Sequence, residues 1–159
     1  MKIGIVIHTN TGHTLKFAQA IRDKLTAKGH EVDITGLRTQ GVISSGIIPI
    51  VRTNFSIKNP PDLGEFDAVL IGGPVWAFKA SPVIMRYLVE DVRTLKGKKA
   101  LAFVTMGGGG GDRALRMINE ELEASAADVV EGEKLKYFFK FKAGALEAAV
   151  ERVCEKLGA

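Results

Sequence analysis

The chain has 159 residues, 46% of them hydrophobic and 25% charged, and a formal net charge of +4. With five prolines and one cysteine it is neither disordered nor disulfide-stapled, and its length predicts one globular domain over residues 1–159. Its apolar stretches have the length of strands, and the first residues lack the basic leader and cleavage site of a signal peptide. We therefore expect a cytoplasmic protein that contacts no membrane.

The first two predicted elements are a strand and a helix. The apolar, β-branched run at residues 3–7 predicts a buried strand, and apolar residues then recur at helical spacing from Leu15 to Leu25. The six residues between the two elements are Thr9, Asn10, Thr11, Gly12, His13 and Thr14. A sharp turn into a helix exposes backbone N–H groups at the positive end of the helix dipole. Three hydroxyls add uncharged donors, so this segment predicts a site for a phosphate monoester.

A simpler interpretation of the same threonines stays open, since Ser and Thr commonly cap helices. Two other phosphate motifs are missing from the sequence. It contains no G-x-x-x-x-G-K-[ST], and the glycines at 107–111 are followed by Asp112 and Arg113 where a dinucleotide fingerprint needs its third glycine.

Strands and helices alternate along most of the remaining chain. Further strands are predicted at residues 31–37, 66–73 and 98–106 and within 128–142; helices are predicted from Ser81-Pro82, over 112–124 and along the stripe Leu146, Val150, Val153 and Leu157. Such alternation indicates βαβ units and a parallel sheet covered by helices on both faces.

Residues 38–65 are the exception, because they contain several prolines and no clean helical period. Another structure must replace the expected second helix. The apolar run at 41–51 is expected to pack on its own domain, although a subunit or ligand contact is the alternative.

Lysines and aromatic residues alternate along residues 134–142, which is superficially a nucleic-acid signature. The plainer interpretation is a strand with one face in the core and lysines outside, so we expect no nucleic-acid partner. His8, His13 and His30 lack acidic or cysteine companions at metal spacing. His8 is therefore expected to be solvent-facing or hydrogen-bonded, and no metal site is predicted. A serine hydrolase would need a G-x-S-x-G elbow, which is missing.

The carboxyl ends of the predicted strands bring three polar or glycine-rich segments to one crevice. The first strand leads into the segment Thr9 to Thr14. The third leads into a loop with Pro74, Val75, Trp76, Ala77 and Phe78, and the fourth into Thr105, Met106, Gly107, Gly108 and Gly109. A phosphate cradle, aromatic side chains and a loop without bulk suit a flat polar ring on a phosphate tether.

These motifs resemble those of the short-chain flavodoxins, and the resemblance covers essentially the whole chain. The pattern Thr9-x-Thr11-Gly12-x-Thr14 is similar to that family's phosphate loop, and Gly72-x-Pro74-x-Trp76 resembles the loop whose tryptophan covers one flavin face. The resemblance implies a flavodoxin-like α/β fold with five parallel strands in the order 2-1-3-4-5, one bound FMN and electron transfer. It also implies that residues 9–14 hold the phosphate, that Trp76 stacks on the isoalloxazine, and that residues 105–109 contact the ring edge.

Three features differ from the family pattern. No glycine follows Trp76, Met106 and glycines stand where many flavodoxins place a second aromatic, and the chain is basic. A redox partner should therefore present an acidic patch. The alternatives are an NAD(P)H-dependent FMN or quinone reductase and a flavin-free interaction module. The expected oligomeric state of the protein is a monomer or a homodimer.

Overall fold

A computed structural model of the chain describes residues 1–41 and 55–159. Apart from Gly41, the apolar run predicted to pack on its own domain lies outside the described residues. In chain order the strands are β1 (Lys2–Ile7), β2 (Glu31–Gly36), β3 (Arg38–Gly41), β4 (Phe55–Lys58), β5 (Ala68–Trp76), β6 (Lys79–Ala80), β7 (Lys99–Met106), β8 (Asp128–Phe138) and β9 (Lys140–Phe141). The helices are α1 (His13–Ala27), α2 (Pro82–Arg86, continued by a π-helical turn at Tyr87–Asp91), α3 (Gly111–Ala124) and α4 (Ala145–Leu157).

Five parallel strands form the central sheet in the order β2-β1-β5-β7-β8. Numbered among themselves along the chain, these strands have the order 2-1-3-4-5, so the predicted topology is confirmed. Strand order reverses beside β1, since the chain moves to β2 on one side and to β5, β7 and β8 on the other. In such sheets the crevice at the carboxyl ends beside the reversal is the usual ligand position.

Helices cover both faces of this sheet because alternate residues of a strand point to opposite sides. Ile5 and Ile7 of β1 belong to the core under α1 and α4, whereas Val6 belongs to the core under α2 and α3. In the first of these cores the fully buried ring of Phe17 meets Phe103 edge to face, with centroids 5.1 Å apart. Burial on both faces explains why the parallel strands are continuous apolar runs.

The segment after β2 replaces a helix with a small antiparallel ribbon of β3 and β4. Phe55 and Ile57 are buried in the same core as α2, and the Arg86 guanidinium lies over the Phe55 ring, 4.6 Å from its centroid. The hydroxyl of Tyr87 donates to the carbonyl of Pro61 at 2.8 Å. Within the described part of residues 38–65 there is no helix, as the sequence predicted.

Two of the parallel strands extend beyond the sheet into tight hairpins. β5 continues three residues past its predicted end at Gly73, because Val75 and Trp76 pair with Ala80 and Lys79 of β6. The expectation that Pro74, Val75 and Trp76 lie in a loop is therefore wrong, since all three lie in β5. Pro74 pairs with Thr105 of β7, and the other two pair with the returning chain. In the same way β8 turns at Phe139 into β9.

Across the described ranges 1–41 and 55–159, none of the helices is long and apolar enough to cross a membrane.

Candidate functional site

The turn between β1 and α1 leaves the start of the helix open. Gly12 is the N-cap residue in the left-handed region, with φ 89°, and its carbonyl accepts from Lys16 N–H at 2.9 Å. No side chain of the described residues caps the first turn, so the interpretation of the threonines as helix caps is wrong. The first-turn N–H groups have no helical carbonyl to bind, and they point outward at the positive end of the dipole.

The three threonine hydroxyls have different roles. Thr9 Oγ1 accepts from Gly12 N–H at 3.1 Å, which shapes the turn and leaves its own O–H free to donate. Thr14 Oγ1 is buried 2.8 Å from the hydroxyl of Thr105 at the end of β7. The side chain of Thr14 therefore ties the phosphate-loop segment to the glycine-rich segment from inside the protein.

His13 joins the same turn to the β8–β9 hairpin. Its Nε2 donates to the Phe139 carbonyl at 3.0 Å, and its Nδ1 lies 2.7 Å from Thr11 Oγ1. Because a carbonyl only accepts, Nε2 carries a proton. In the neutral tautomer with its proton on Nε2, Nδ1 accepts from the Thr11 hydroxyl. The imidazole also stacks on Tyr137, with centroids 3.6 Å apart and planes 6° apart. No sequence pattern indicated this contact, since β8 is more than 100 residues away and shows only an alternation of polar and apolar residues.

The β5–β6 hairpin presents aromatic side chains beside this turn. Ala77 and Phe78 form its two-residue turn, with φ 48° and 62°. A turn of this kind needs the left-handed region, which residues other than glycine disfavour. Trp76 is half-buried, whereas Phe78 is 66% exposed. The pairing of β5 with β6 and the contact of Phe78 with the glycine-rich segment stabilise this strained turn.

His8 connects the end of β1 to Ser81 at the start of α2 and to Trp76. The residue is buried, its Nδ1 lies 2.6 Å from Ser81 Oγ, and its ring meets the Trp76 ring edge to face at 5.2 Å. Burial lowers the pKa of His8 from 6.5 to about 4, so the ring is neutral at physiological pH. Ser81 Oγ also accepts from Val83 N–H and caps α2. His8 is thus hydrogen-bonded, which confirms one of the two expectations for it. It is not solvent-facing.

The segment after β7 supplies bare backbone. Gly107, Gly108 and Gly109 are exposed. Gly110 begins α3 with φ 94°, and a Cβ there would lie 2.5 Å from the Cα of Phe78. The following carboxylate, Asp112, pairs with Lys134 at 2.5 Å.

The predicted site residues come together at one edge of the sheet, with different exposures. Exposed are Asn10, Thr11, Ala77, Phe78, Gly107, Gly108 and Gly109; half-buried are Thr9, Gly12, His13, Pro74, Val75, Trp76 and Met106; buried are Thr14 and Thr105. The turn after β1, the hairpin that extends β5 and the segment after β7 follow three neighbouring strands. They surround the point where strand order reverses.

Solved structures with this architecture include several flavodoxins. Oxidised flavodoxin 1 from Bacillus cereus is 18% identical and has a TM-score of 0.74, with 99% of this chain and 98% of that one covered. A flavodoxin from the domain Archaea is 18% identical over all of both chains, with a TM-score of 0.73. A short-chain flavodoxin associated with a bacterial microcompartment is 15% identical with a TM-score of 0.71, over 99% of this chain and 97% of that one. The chain has the flavodoxin fold.

The likeness of this flavodoxin-like chain to short-chain flavodoxins is structural and extends over its full length. No protein-family model matches the sequence, and no curated protein does. In the described part of the chain there is no group of His, Cys, Asp or Glu residues that could hold a metal ion.

The donor set at the sheet edge suits FMN chemically. An uncapped helix start with hydroxyls beside it fits a phosphate dianion, an aromatic side chain fits a flat ring, and exposed glycine backbone fits the polar ring edge. Groups of these kinds hold a ligand by hydrogen bonds and ring stacking.

Proposed function

We propose that this flavodoxin-like chain binds one FMN noncovalently and transfers electrons. The observation that supports this most directly is the meeting of three complementary surfaces at the reversal of strand order. They are the uncapped start of α1, the Trp76 hairpin and the exposed glycines after β7. A turn that served only to begin α1 would need neither the hairpin nor the glycines.

Different residues of the chain would bind different parts of the cofactor. The first-turn N–H groups of α1 and the hydroxyls of Thr9 and Thr11 would hold the phosphate without adding charge. Trp76 would cover one face of the ring, and the backbone of residues 107–109 would meet its polar edge. FMN supplies the redox chemistry when bound, and the chain supplies position, ring contacts and exclusion of water.

The surroundings of the site support a negatively charged electron-transfer partner. Asp112, the carboxylate of the glycine-rich segment, is paired with Lys134, while Lys79 is exposed at the β5–β6 hairpin. The local field is neutral to positive, so a partner with an acidic patch would be attracted and its association would slow as salt is added. This proposal includes a cytoplasmic location.

The decisive binding experiment is calorimetric titration of the purified chain with FMN and, separately, with riboflavin. We expect one FMN per chain, bound more tightly than riboflavin because charge-assisted hydrogen bonds to the phosphate are lost in the latter. A chain that binds neither compound would contradict the proposal and favour the flavin-free interaction module.

A second experiment separates a carrier from a reductase. The FMN-loaded chain is mixed with NADH or NADPH without oxygen, and the flavin absorbance is followed. We expect the yellow colour to persist, since electrons should come from a protein partner. Rapid bleaching would instead assign the chain to the NAD(P)H-dependent reductases.

A further inference from the structure

The β8–β9 hairpin carries two phenylalanines that the fold does not use. Phe138 is 82% exposed and Phe139 is 86% exposed, and their rings meet edge to face with centroids 4.7 Å apart. The next aromatic residues on each side point inward, because Phe141 is buried and Tyr137 stacks on His13. The hairpin is therefore fixed to the fold at its base and displays its two rings at the tip.

An apolar groove of about 930 Å³ begins under this tip. Its lining includes Leu135, Tyr137, Phe138, Phe141 and Ala145, and it reaches Gly107 of the glycine-rich segment. Exposed aromatic rings beside a continuous apolar groove are the features that mark a protein interaction surface.

The charges around the groove have one sign. Lys136, Lys140 and Lys142 line it, and within the described residues no carboxylate lines it or pairs with these lysines. Glu133, which precedes these lysines in the chain, is buried in ion pairs with Arg152 and Lys156. The groove thus combines apolar anchoring positions with three uncompensated cations.

We propose that this groove and the tip at Phe138 and Phe139 dock an acidic segment of a partner protein that also carries apolar anchor residues. The charge pattern favours carboxylates at the rim, and the groove favours leucine or aromatic anchors between them. That the partner is the one exchanging electrons rests on the proposed function. Position agrees with this, since the Phe139 carbonyl is hydrogen-bonded to His13 of the turn proposed to hold the phosphate.

A phage-displayed library of random peptides, about 16 residues long, serves as the probe because peptides of this length can fill such a groove. It is selected at low salt on the full chain and counter-selected on the variant Phe138→Ser/Phe139→Ser. We expect enrichment of peptides that combine Asp or Glu with Leu, Phe or Trp. A synthetic peptide of the enriched sequence should bind the double variant at least about tenfold more weakly.

The charge requirement is tested with Lys136→Gln/Lys140→Gln/Lys142→Gln. This variant should bind the peptide about tenfold more weakly at low salt and should lose most of the salt dependence. The matched control is Lys58→Gln/Lys96→Gln/Val89→Ser, three exposed positions away from the groove, which should bind as the parent does. Circular dichroism and thermal unfolding verify that every variant is folded.

Several outcomes would overturn the proposal. They are the absence of enrichment, enrichment of basic or purely apolar peptides, and binding that survives both groove variants. Two direct probes complete the test: phosphatidylcholine vesicles containing phosphatidylserine, and a single-stranded oligonucleotide. If either probe binds the parent and binds neither groove variant, the surface is a lipid or nucleic-acid binding site and the proposal is wrong.

FMN titration keeps this proposal separate from the proposed function. Phe138→Ser/Phe139→Ser should bind FMN as the parent does, because both rings are exposed and only the backbone carbonyl of Phe139 is hydrogen-bonded to the turn. A parent that binds the acidic peptide and no FMN would remove the proposed function and leave the docking groove. A parent that binds FMN and yields no groove-dependent peptide would do the reverse.

Discussion

The backbone of Phe78 lies directly against Gly110, so closely that a Cβ on Gly110 would be 2.5 Å from the Phe78 Cα. This contact joins the β5–β6 hairpin to the start of α3. It also explains how a turn of Ala77 and Phe78 in the left-handed region persists without glycine, since the neighbouring segment holds it in place.

The first prediction follows from this contact. Gly110→Ala adds a clash with backbone and a side chain at φ 94°, so unfolding free energy should fall by roughly 2 to 4 kcal/mol. Gly108→Ala is the matched control, because a Cβ there meets nothing within 4 Å. Urea unfolding of the two variants makes the comparison. Equal loss of stability in both would mean that the hairpin does not rest on Gly110.

Much of the fold could be predicted because its signals are local. Apolar runs such as residues 68–71 mark buried strands, and the periodic residues of α1 and α4 mark helices with one buried face. The extension of β5 to Trp76 escaped prediction. It depends on pairing with Lys79 and Ala80, and a two-residue turn without glycine or asparagine gives no recognisable hairpin signal.

The candidate site was predictable as segments and not as contacts. Thr11 and Trp76 stand in motifs that a sequence displays, and the order of the strands brings those motifs together. The stacking of His13 on Tyr137 and the pairing of His8 with Ser81 join residues far apart in the chain. Such contacts are set by the register of whole elements, which no short pattern encodes.

The buried pair of Thr14 and Thr105 gives the second prediction. Thr14→Val removes one hydroxyl without changing shape and leaves the other buried without this partner, which should cost about 1 to 3 kcal/mol of unfolding free energy. Thr14→Val/Thr105→Val leaves no unpaired hydroxyl and should cost less than the sum of the single changes. Chemical unfolding of Thr14→Val, Thr105→Val and the double variant measures the interaction energy of the two hydroxyls. Strict additivity would show that the two hydroxyls do not interact.

His8 should make the fold sensitive to acid. Burial lowers its pKa from 6.5 to about 4, so between these pH values the unfolded chain binds a proton that the folded chain does not. Stability therefore falls as pH falls from about 6.5 to about 4, by roughly 3 kcal/mol in total, and the effect is absent above that window.

This prediction is checked by measuring the unfolding free energy of the parent and of His8→Gln between pH values of about 6.5 and about 4. The variant keeps a polar side chain near Ser81 and has no group that titrates there. Its curve should lose the part of the slope due to His8, while other acid-sensitive groups contribute to both proteins alike. Parallel curves would mean that His8 takes up its proton without cost in the folded state.

Trp76 offers an optical test, since it is the chain's single tryptophan. Stacked on a flavin, it should lose most of its fluorescence when FMN is added. Stacking of an aromatic ring on a base is worth about 1 to 3 kcal/mol, so Trp76→Ala should weaken FMN by about five- to a hundredfold. Trp76→Phe should keep most of the affinity. Tryptophan emission that ignores FMN would exclude this stacking and leave Phe78 as the next candidate.

The final prediction concerns Thr11, whose exposed hydroxyl is hydrogen-bonded to His13 Nδ1 at 2.7 Å. Rotation toward a bound phosphate would exchange this bond for one to a charged oxygen, worth about 1.5 to 3 kcal/mol. Thr11→Ala should therefore weaken FMN about ten- to a hundredfold in calorimetric titration, while riboflavin should bind variant and parent alike. Thr11→Ser should keep the affinity, and Thr26→Ala, an exposed threonine at the far end of α1, is the control. If Thr11→Ala weakened riboflavin as much as FMN, the hydroxyl would act by shaping the site through His13. The phosphate would then be held by the backbone at the start of α1 without Thr11.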